Sequence, residues 1–107
     1  MEENMKIKEV TNEFILFNNG SKITFAPTKE YCNDNYADFT QLDELALAYE
    51  FDENTMKFET VDQYGFRFGS ENSHMFFVPC YSDLDGYYSS DVDIYYNLNN
   101  ASHVSFP

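Results

Sequence analysis

The sequence predicts an α+β domain: a twisted antiparallel β-sheet of about five to seven strands with one short helix near residues 38–47 against a face. Three observations predict it. Apolar and polar residues alternate through most of the chain, turn-forming Asn, Gly, Asp and Ser break the alternation into runs, and one segment alone has helical spacing. The 107 residues suit one domain, 1–107, with a single core. With 43% hydrophobic and 19% aromatic residues, the chain has the apolar surface that disordered acidic chains lack.

The elements follow in order. "FILFNNGSKITFA" places two β-rich runs around Asn18-Asn19-Gly20, a hairpin signal because Asn and Gly accept the positive φ of tight turns. "ADFTQLDELALA" is the helical segment: Asp38 or Thr40 is the candidate cap, and Leu42, Leu45 and Ala46 give i, i+3, i+4 spacing. From Leu47 the period becomes two, with Leu47, Tyr49 and Phe51 on one side and Ala48, Glu50 and Asp52 on the other. "DENT" reads as a turn, so "LAYEFDENTMKFETV" is expected to form a second hairpin in which Glu50 and Glu59 face each other and one carboxyl pKa rises. "GFRFG", "HMFFVP" and "DVDIYYN" are the remaining strands, and His103 falls in a C-terminal stretch expected to fray.

Charge is the strongest bulk signal. Residues 1–29 are balanced, so the whole formal charge of −13 lies in residues 30–107, where fifteen carboxylates face only Lys57 and Arg67. No Lys or Arg follows Arg67. Such an imbalance repels phosphate, which argues against direct binding of nucleic acid or an anionic membrane and points to a basic partner. The chain has no apolar run of the ~20 residues needed to span a bilayer, and "MEENMKIKEV" lacks the pattern of a secretory signal, so a soluble, cytoplasmic protein of a host bacterial cell is expected. In that compartment Cys32 and Cys80, which lack metal or redox spacing, are expected to be free buried thiols.

The charge and the aromatics converge in "YSDLDGYYSSDVDIYYN", residues 81–97, which holds four aspartates and five tyrosines and no basic side chain. "DLDG" imitates the start of a calcium loop, but its Gly comes at position 4 instead of 6 and Ile94 stands where the bidentate Glu belongs. Calcium binding through Asp83, Asp85, Asp91 and Asp93 is therefore the lesser alternative, and neither metal nor cofactor is expected. His74 has no nucleophile elbow, phosphate loop or HExxH around it, so no enzymatic reading is adopted. On a strand, residues two apart share a face ~6.6 Å apart, so Asp91 with Asp93, and Glu50 with Asp52, form carboxylate rows whose step resembles that of phosphates along a nucleic-acid strand. Tyr87, Tyr88, Tyr95 and Tyr96 interleave with them as anchors able to stack on arginine. The competing reading is that alternate tyrosines belong to the core and the aspartates solvate an outer face.

In size, composition and the pattern of that stretch the chain resembles the small, acidic, Tyr/Asp/Asn-rich proteins of phages and mobile elements, among them anti-CRISPR and antirestriction proteins. The resemblance, joined to the charge, implies a non-enzymatic inhibitor that mimics nucleic acid and blocks the basic DNA-binding channel of a bacterial nuclease effector, a CRISPR effector such as Cas9. The expected partner-binding residues are Asp83, Asp85, Asp91, Asp93, Tyr87, Tyr88, Tyr95, Tyr96, Glu50 and Asp52. The alternative with the same charge is an immunity protein or antitoxin that neutralises a basic nuclease toxin.

Overall fold

Alternation of apolar and polar residues builds strands almost from end to end. The computed structural model describes residues 4–27, 35–71, 73–81 and 90–106. Eleven strands lie among them: β1 (Asn4–Met5), β2 (Ile7–Val10), β3 (Phe14–Phe17), β4 (Lys22–Pro27), β5 (Tyr36–Ala37), β6 (Phe51–Asp52), β7 (Met56–Val61), β8 (Gly65–Ser70), β9 (Phe76–Tyr81), β10 (Ser90–Tyr96) and β11 (Asn99–Phe106). All pairings are antiparallel, in a five-stranded sheet ordered β11-β10-β4-β3-β2, a four-stranded sheet β5-β9-β8-β7, and the two-stranded β1-β6. β11 lies beside β7 and β4 beside β5, so the two larger sheets curl towards each other as a half-barrel. The β7–β11 seam is held by a bond between the Thr60 and Ser102 hydroxyls and by the Gln63 N–H donating to the Ser105 carbonyl at 3.0 Å.

The antiparallel sheet agrees with the sequence reading, as does the β3–β4 hairpin. Its turn at Asn18–Ser21 uses Gly20 at φ +94°, whose N–H donates to the Phe17 carbonyl at 3.0 Å. Three expectations are corrected. No α-helix forms near residues 38–47: two 3₁₀ turns stand there instead, Phe39–Gln41 and Glu44–Ala48. The Asp38 carboxylate accepts from Thr40 N–H and that of Asp43 from Leu45 N–H, so each aspartate starts a tight turn of its own and the intervening Leu42 is left non-helical. Packing follows suit, since Phe39 and Ala46 are buried while Leu45, one of the three residues at helical spacing, is 70% exposed. Without an α-helix the class is mostly β, not α+β.

The second hairpin is also different. Leu47 belongs to a 3₁₀ turn, the β6 strand is only Phe51–Asp52 and pairs with β1, and β7 finds its partner in β8. Glu50 and Glu59 therefore do not face each other; Glu59 lies opposite Arg67, and the guanidinium hydrogen bond is the leading cause of a lowered pKa in place of the expected rise. Finally, "NNASHVSF" is no fraying end but the eight-residue strand β11, paired along its length with β10. Among the described residues no helix is long and apolar enough to cross a membrane.

Phenylalanine rings join the three sheets within a core otherwise filled by aliphatic residues. Phe17 of the five-stranded sheet, Phe51 of the β1-β6 pair and Phe68 of the four-stranded sheet are all fully buried and touch one another, with centroids 5.7 Å (Phe17–Phe51), 5.6 Å (Phe51–Phe68) and 6.5 Å (Phe17–Phe68) apart. Phe76 and Tyr49 add edges to Phe51 at 5.8 and 5.0 Å. Phe51→Ala is expected to cost ~3–5 kcal/mol, a large part of the ~5–15 kcal/mol available to a domain. Urea unfolding checks this, with Phe51→Leu as the milder partner; equal midpoints for Phe51→Ala and wild type would show that the ring is not a structural joint.

Candidate functional site

The carboxylate row on β10 is real in geometry and already occupied. Val92 and Ile94 point into the core, so Asp91, Asp93 and Tyr95 lie on the outer face. Asp93 is directly opposite His103 on β11. The imidazole spans both aspartates, with Nδ1 2.6 Å from Asp93 Oδ1 and Nε2 2.9 Å from Asp91 Oδ2. A β-bulge after Ile94, where Ile94 pairs with Ser102 but Tyr95 with Asn100, shifts the β11 register by one residue. The shift puts Asn100 on the outer face beside His103, and its Nδ2 donates to Asp93 Oδ1 at 3.1 Å. The bond to Asp93 above all raises the His103 pKa; desolvation opposes it, and the bond to Asp91 and the charges of both aspartates add to the rise.

Glu50 and Asp52 lie elsewhere. Both line a shallow cleft of about 280 Å³ with Asn4, Ser70 and Glu71. The Asp52 backbone N–H is fixed by the buried Ser70 hydroxyl at 2.7 Å, while its carboxylate accepts from Asn54 N–H and caps the 3₁₀ turn Glu53–Thr55. The Glu71 N–H donates to the Thr55 carbonyl, which draws a third carboxylate-bearing residue to the same rim. Lys6 approaches Glu50 only to 4.0 Å with both side chains at least half exposed, a pairing of little energetic weight.

The cations of the acidic part of the chain are used up at another place. Lys57 and Arg67 both pair with Glu59 across β7 and β8. Among the described residues the remaining ion pairs are Lys6 with Glu50 and His103 with Asp91 and Asp93. Among the described residues, the cleft carboxylates Asp52 and Glu71 thus have no basic side chain within ion-pair distance.

Of the expected anchors, Tyr96 is half-buried and points inward: its ring packs on Phe58 at 5.3 Å and Phe17 at 6.4 Å, and its hydroxyl lies 3.7 Å from Met5 Sδ. Tyr95 is on the outer face, also partly covered. Asp83, Asp85, Tyr87, Tyr88 and Cys32 lie outside the described residues. Cys80 is a free, buried thiol, and burial pushes its pKa up to about 12, far from the thiolate that a nucleophile needs. The structure does not merge the two carboxylate pairs into one cluster, and among the described residues no three His, Cys, Asp or Glu side chains are placed to hold a metal ion.

His103, Asn100 and Glu71 escaped the sequence reading. The signal for His103 was present in its surroundings: "NNASHVSF" alternates as strands do, with Ser102 and Val104 facing in. What the carboxylates of both places offer chemically is acceptance of charge-assisted hydrogen bonds from a cationic donor, the part that His103 plays towards Asp91 and Asp93.

Because the folded-state pKa of His103 is raised, its contribution to stability is fully present below the unfolded value of about 6.5 and disappears as pH rises through the folded value. His103→Gln should therefore melt below wild type by on the order of a few degrees in mild acid, with the gap closing above neutrality. Melting temperatures measured across pH check this; a gap that is constant with pH would mean that the imidazole is uncharged in its place.

Comparison with protein-family models, curated proteins and solved structures finds no match to this chain.

Proposed function

We propose that the protein is a non-enzymatic inhibitor that imitates nucleic acid and occupies the basic DNA-binding channel of a bacterial nuclease effector, a CRISPR effector such as Cas9. The observation that carries the reading is the distribution of internal cations. Lys57 and Arg67 are both spent on Glu59, while the cleft of Glu50, Asp52 and Glu71 keeps its negative charge almost whole. A surface meant only to be solvated normally mixes both signs, whereas one meant for an arginine-lined channel keeps them apart.

The shape agrees with this use. The molecule extends 50 Å along its long axis and 24 Å across each of the others, a length comparable to about fifteen steps of duplex at 3.4 Å each. The Asp52 carboxylate is held by the Asn54 N–H, so little ordering entropy opposes its engagement by a guanidinium group. Inhibition is by competition: arginines that read a short duplex element or track the phosphate backbone find carboxylates instead, and DNA is excluded.

The test is DNA cleavage by a Cas9–guide complex with rising amounts of the protein. Wild type should inhibit, less so as salt rises. Changing Glu50 and Glu71 to Gln together with Asp52 to Asn should weaken inhibition at least about tenfold, since truncating a buried interfacial charge pair costs ~2–5 kcal/mol. The fold should survive because Asn still caps the turn at position 52. The matched control, Glu2, Glu3 and Glu9 to Gln, should change inhibition less than about twofold, as rim charges do. No inhibition by wild type removes this effector as the target, and equal losses in both triple variants remove the cleft as the recognition surface.

A further inference from the structure

We infer that Asn19 is a modification site: its side-chain amide converts to a carboxylate through a cyclic imide with Gly20, and Glu53 is the residue that holds this reaction back in the folded chain. The inference does not depend on the inhibitor reading.

The chemistry needs an asparagine followed by a residue without a side chain, and Asn19-Gly20 is the only Asn-Gly pair in the sequence. A base in solution takes the proton from the Gly20 nitrogen, which attacks Asn19 Cγ. The new N–Cγ bond closes a five-membered ring, the Cγ–Nδ2 bond breaks, and Nδ2 leaves as ammonia with a proton from water. Water then opens the imide. Attack at the side-chain carbonyl leaves an aspartate, and attack at the main-chain carbonyl leaves an isoaspartyl linkage. One water is consumed and one ammonia released, with no oxidation or reduction.

The fold leaves the reacting atoms accessible. Asn19 and Gly20 are both exposed at the tip of the β3–β4 hairpin. Gly20 takes φ +94°, and no atom lies within 4 Å of the place where a Cβ would stand, so base and water reach the turn without obstruction. The Ser21 N–H donates to Asn19 Oδ1 at 2.9 Å. That bond draws electron density from the carbonyl and favours attack at Cγ, as the donors of an oxyanion hole do.

Two other bonds oppose it. The Gly20 N–H donates to the Phe17 carbonyl at 3.0 Å, a bond given up with the proton when the nitrogen becomes a nucleophile. Asn19 Nδ2 donates to Glu53 Oε2, 34 residues away in sequence. A carboxylate only accepts, so Glu53 has no proton for the departing nitrogen and its contact is lost as ammonia leaves. The turn is also pinned from the side: the Asn18 N–H donates to the Lys6 carbonyl at 2.8 Å, and the Lys6 N–H to Asn18 Oδ1 at 3.1 Å. The hairpin tip therefore has little freedom to swing the amide away from Glu53.

The product changes the neighbourhood. A carboxylate at position 19 has no N–H for Glu53, so an attractive contact becomes a repulsive one. Glu53 opens the 3₁₀ turn that Asp52 caps, and Asp52 and Thr55 line the acidic cleft. Conversion at the hairpin tip thus unties the cleft rim from the β3–β4 turn and adds one negative charge beside it.

Two measurements on the whole chain test this. The first is conversion at position 19 over time in mildly alkaline buffer, read by peptide mass spectrometry as an acid in place of an amide. Folded wild type should convert several-fold more slowly than the same chain unfolded in guanidinium chloride. Folded Glu53→Ala should convert faster than folded wild type, while Glu53→Gln, whose side-chain carbonyl still accepts from Nδ2, should stay close to wild type. Equal rates folded and unfolded, or equal rates in Glu53→Ala and wild type, overturn the inference. The second measurement is independent of the slow chemistry. Asn19→Asp should melt below wild type, and Glu53→Gln should recover most of that loss in the double variant, because an amide at position 53 supplies the N–H that position 19 has given up. Strictly additive effects of the two substitutions would show that the side chains do not meet and would remove Glu53 from the account.

Discussion

The contact of Phe17, Phe51 and Phe68 is the constraint on which the rest of the structure depends. Each ring comes from a different sheet, and none of the three sheets is closed on itself. Backbone hydrogen bonds hold strands within a sheet, whereas sheet meets sheet mainly through buried apolar surface, in which the phenylalanines pack with aliphatic residues such as Ile15, Ile23, Val92 and Ile94, and through a few polar bonds such as those of the β7–β11 seam. The ring cluster fixes β6 although that strand is two residues long and pairs only with β1. Through β6 it also fixes the adjoining Glu50, Asp52 and 3₁₀ turn. The acidic cleft is positioned by phenylalanines that never see solvent.

A stiff aromatic core also explains how the chain tolerates its charge. Concentrated carboxylates repel one another and work against compactness. Part of that repulsion is offset locally: Asp38, Asp43 and Asp52 each accept a backbone N–H at the start of a 3₁₀ turn, and Asp38 is held below its usual pKa mainly by the Thr40 hydroxyl and Gln41 amide. Glu59 takes two cations, and His103 serves Asp91 and Asp93. Among the described residues Glu50 has only a distant lysine and Glu71 no cation within ion-pair distance.

How much was legible in the sequence follows from the range of each signal. The β3–β4 hairpin was, because Asn18-Asn19-Gly20 and the flanking apolar runs are a local code. So were β8, β9 and β10, whose alternation is strong enough to resist other pairings. The helix was misread because Leu42, Leu45 and Ala46 have helical spacing, while Asp43 offers the backbone a competing bond at Leu45 N–H. The second hairpin was misread because adjacent strands are presumed partners, and Phe51 had a better place among rings distant in sequence. For the site, the row of Asp91 and Asp93 was readable from its period of two, but its occupant was not.

The sequence by itself determined the acidity and its skew to residues 30–107, the antiparallel habit, and that Asp91 and Asp93 share one face of a strand, because charge is additive and the pleat has a fixed period. Tertiary structure alone decided that Tyr96 fills the core, that Glu50 and Asp52 share a cleft with Glu71, and that His103 lies across Asp91 and Asp93. The last of these turns on one residue. The extra residue at the β11 bulge sets which side chains of that strand meet β10, and strand register is a property of two segments paired in space, which neither segment specifies alone.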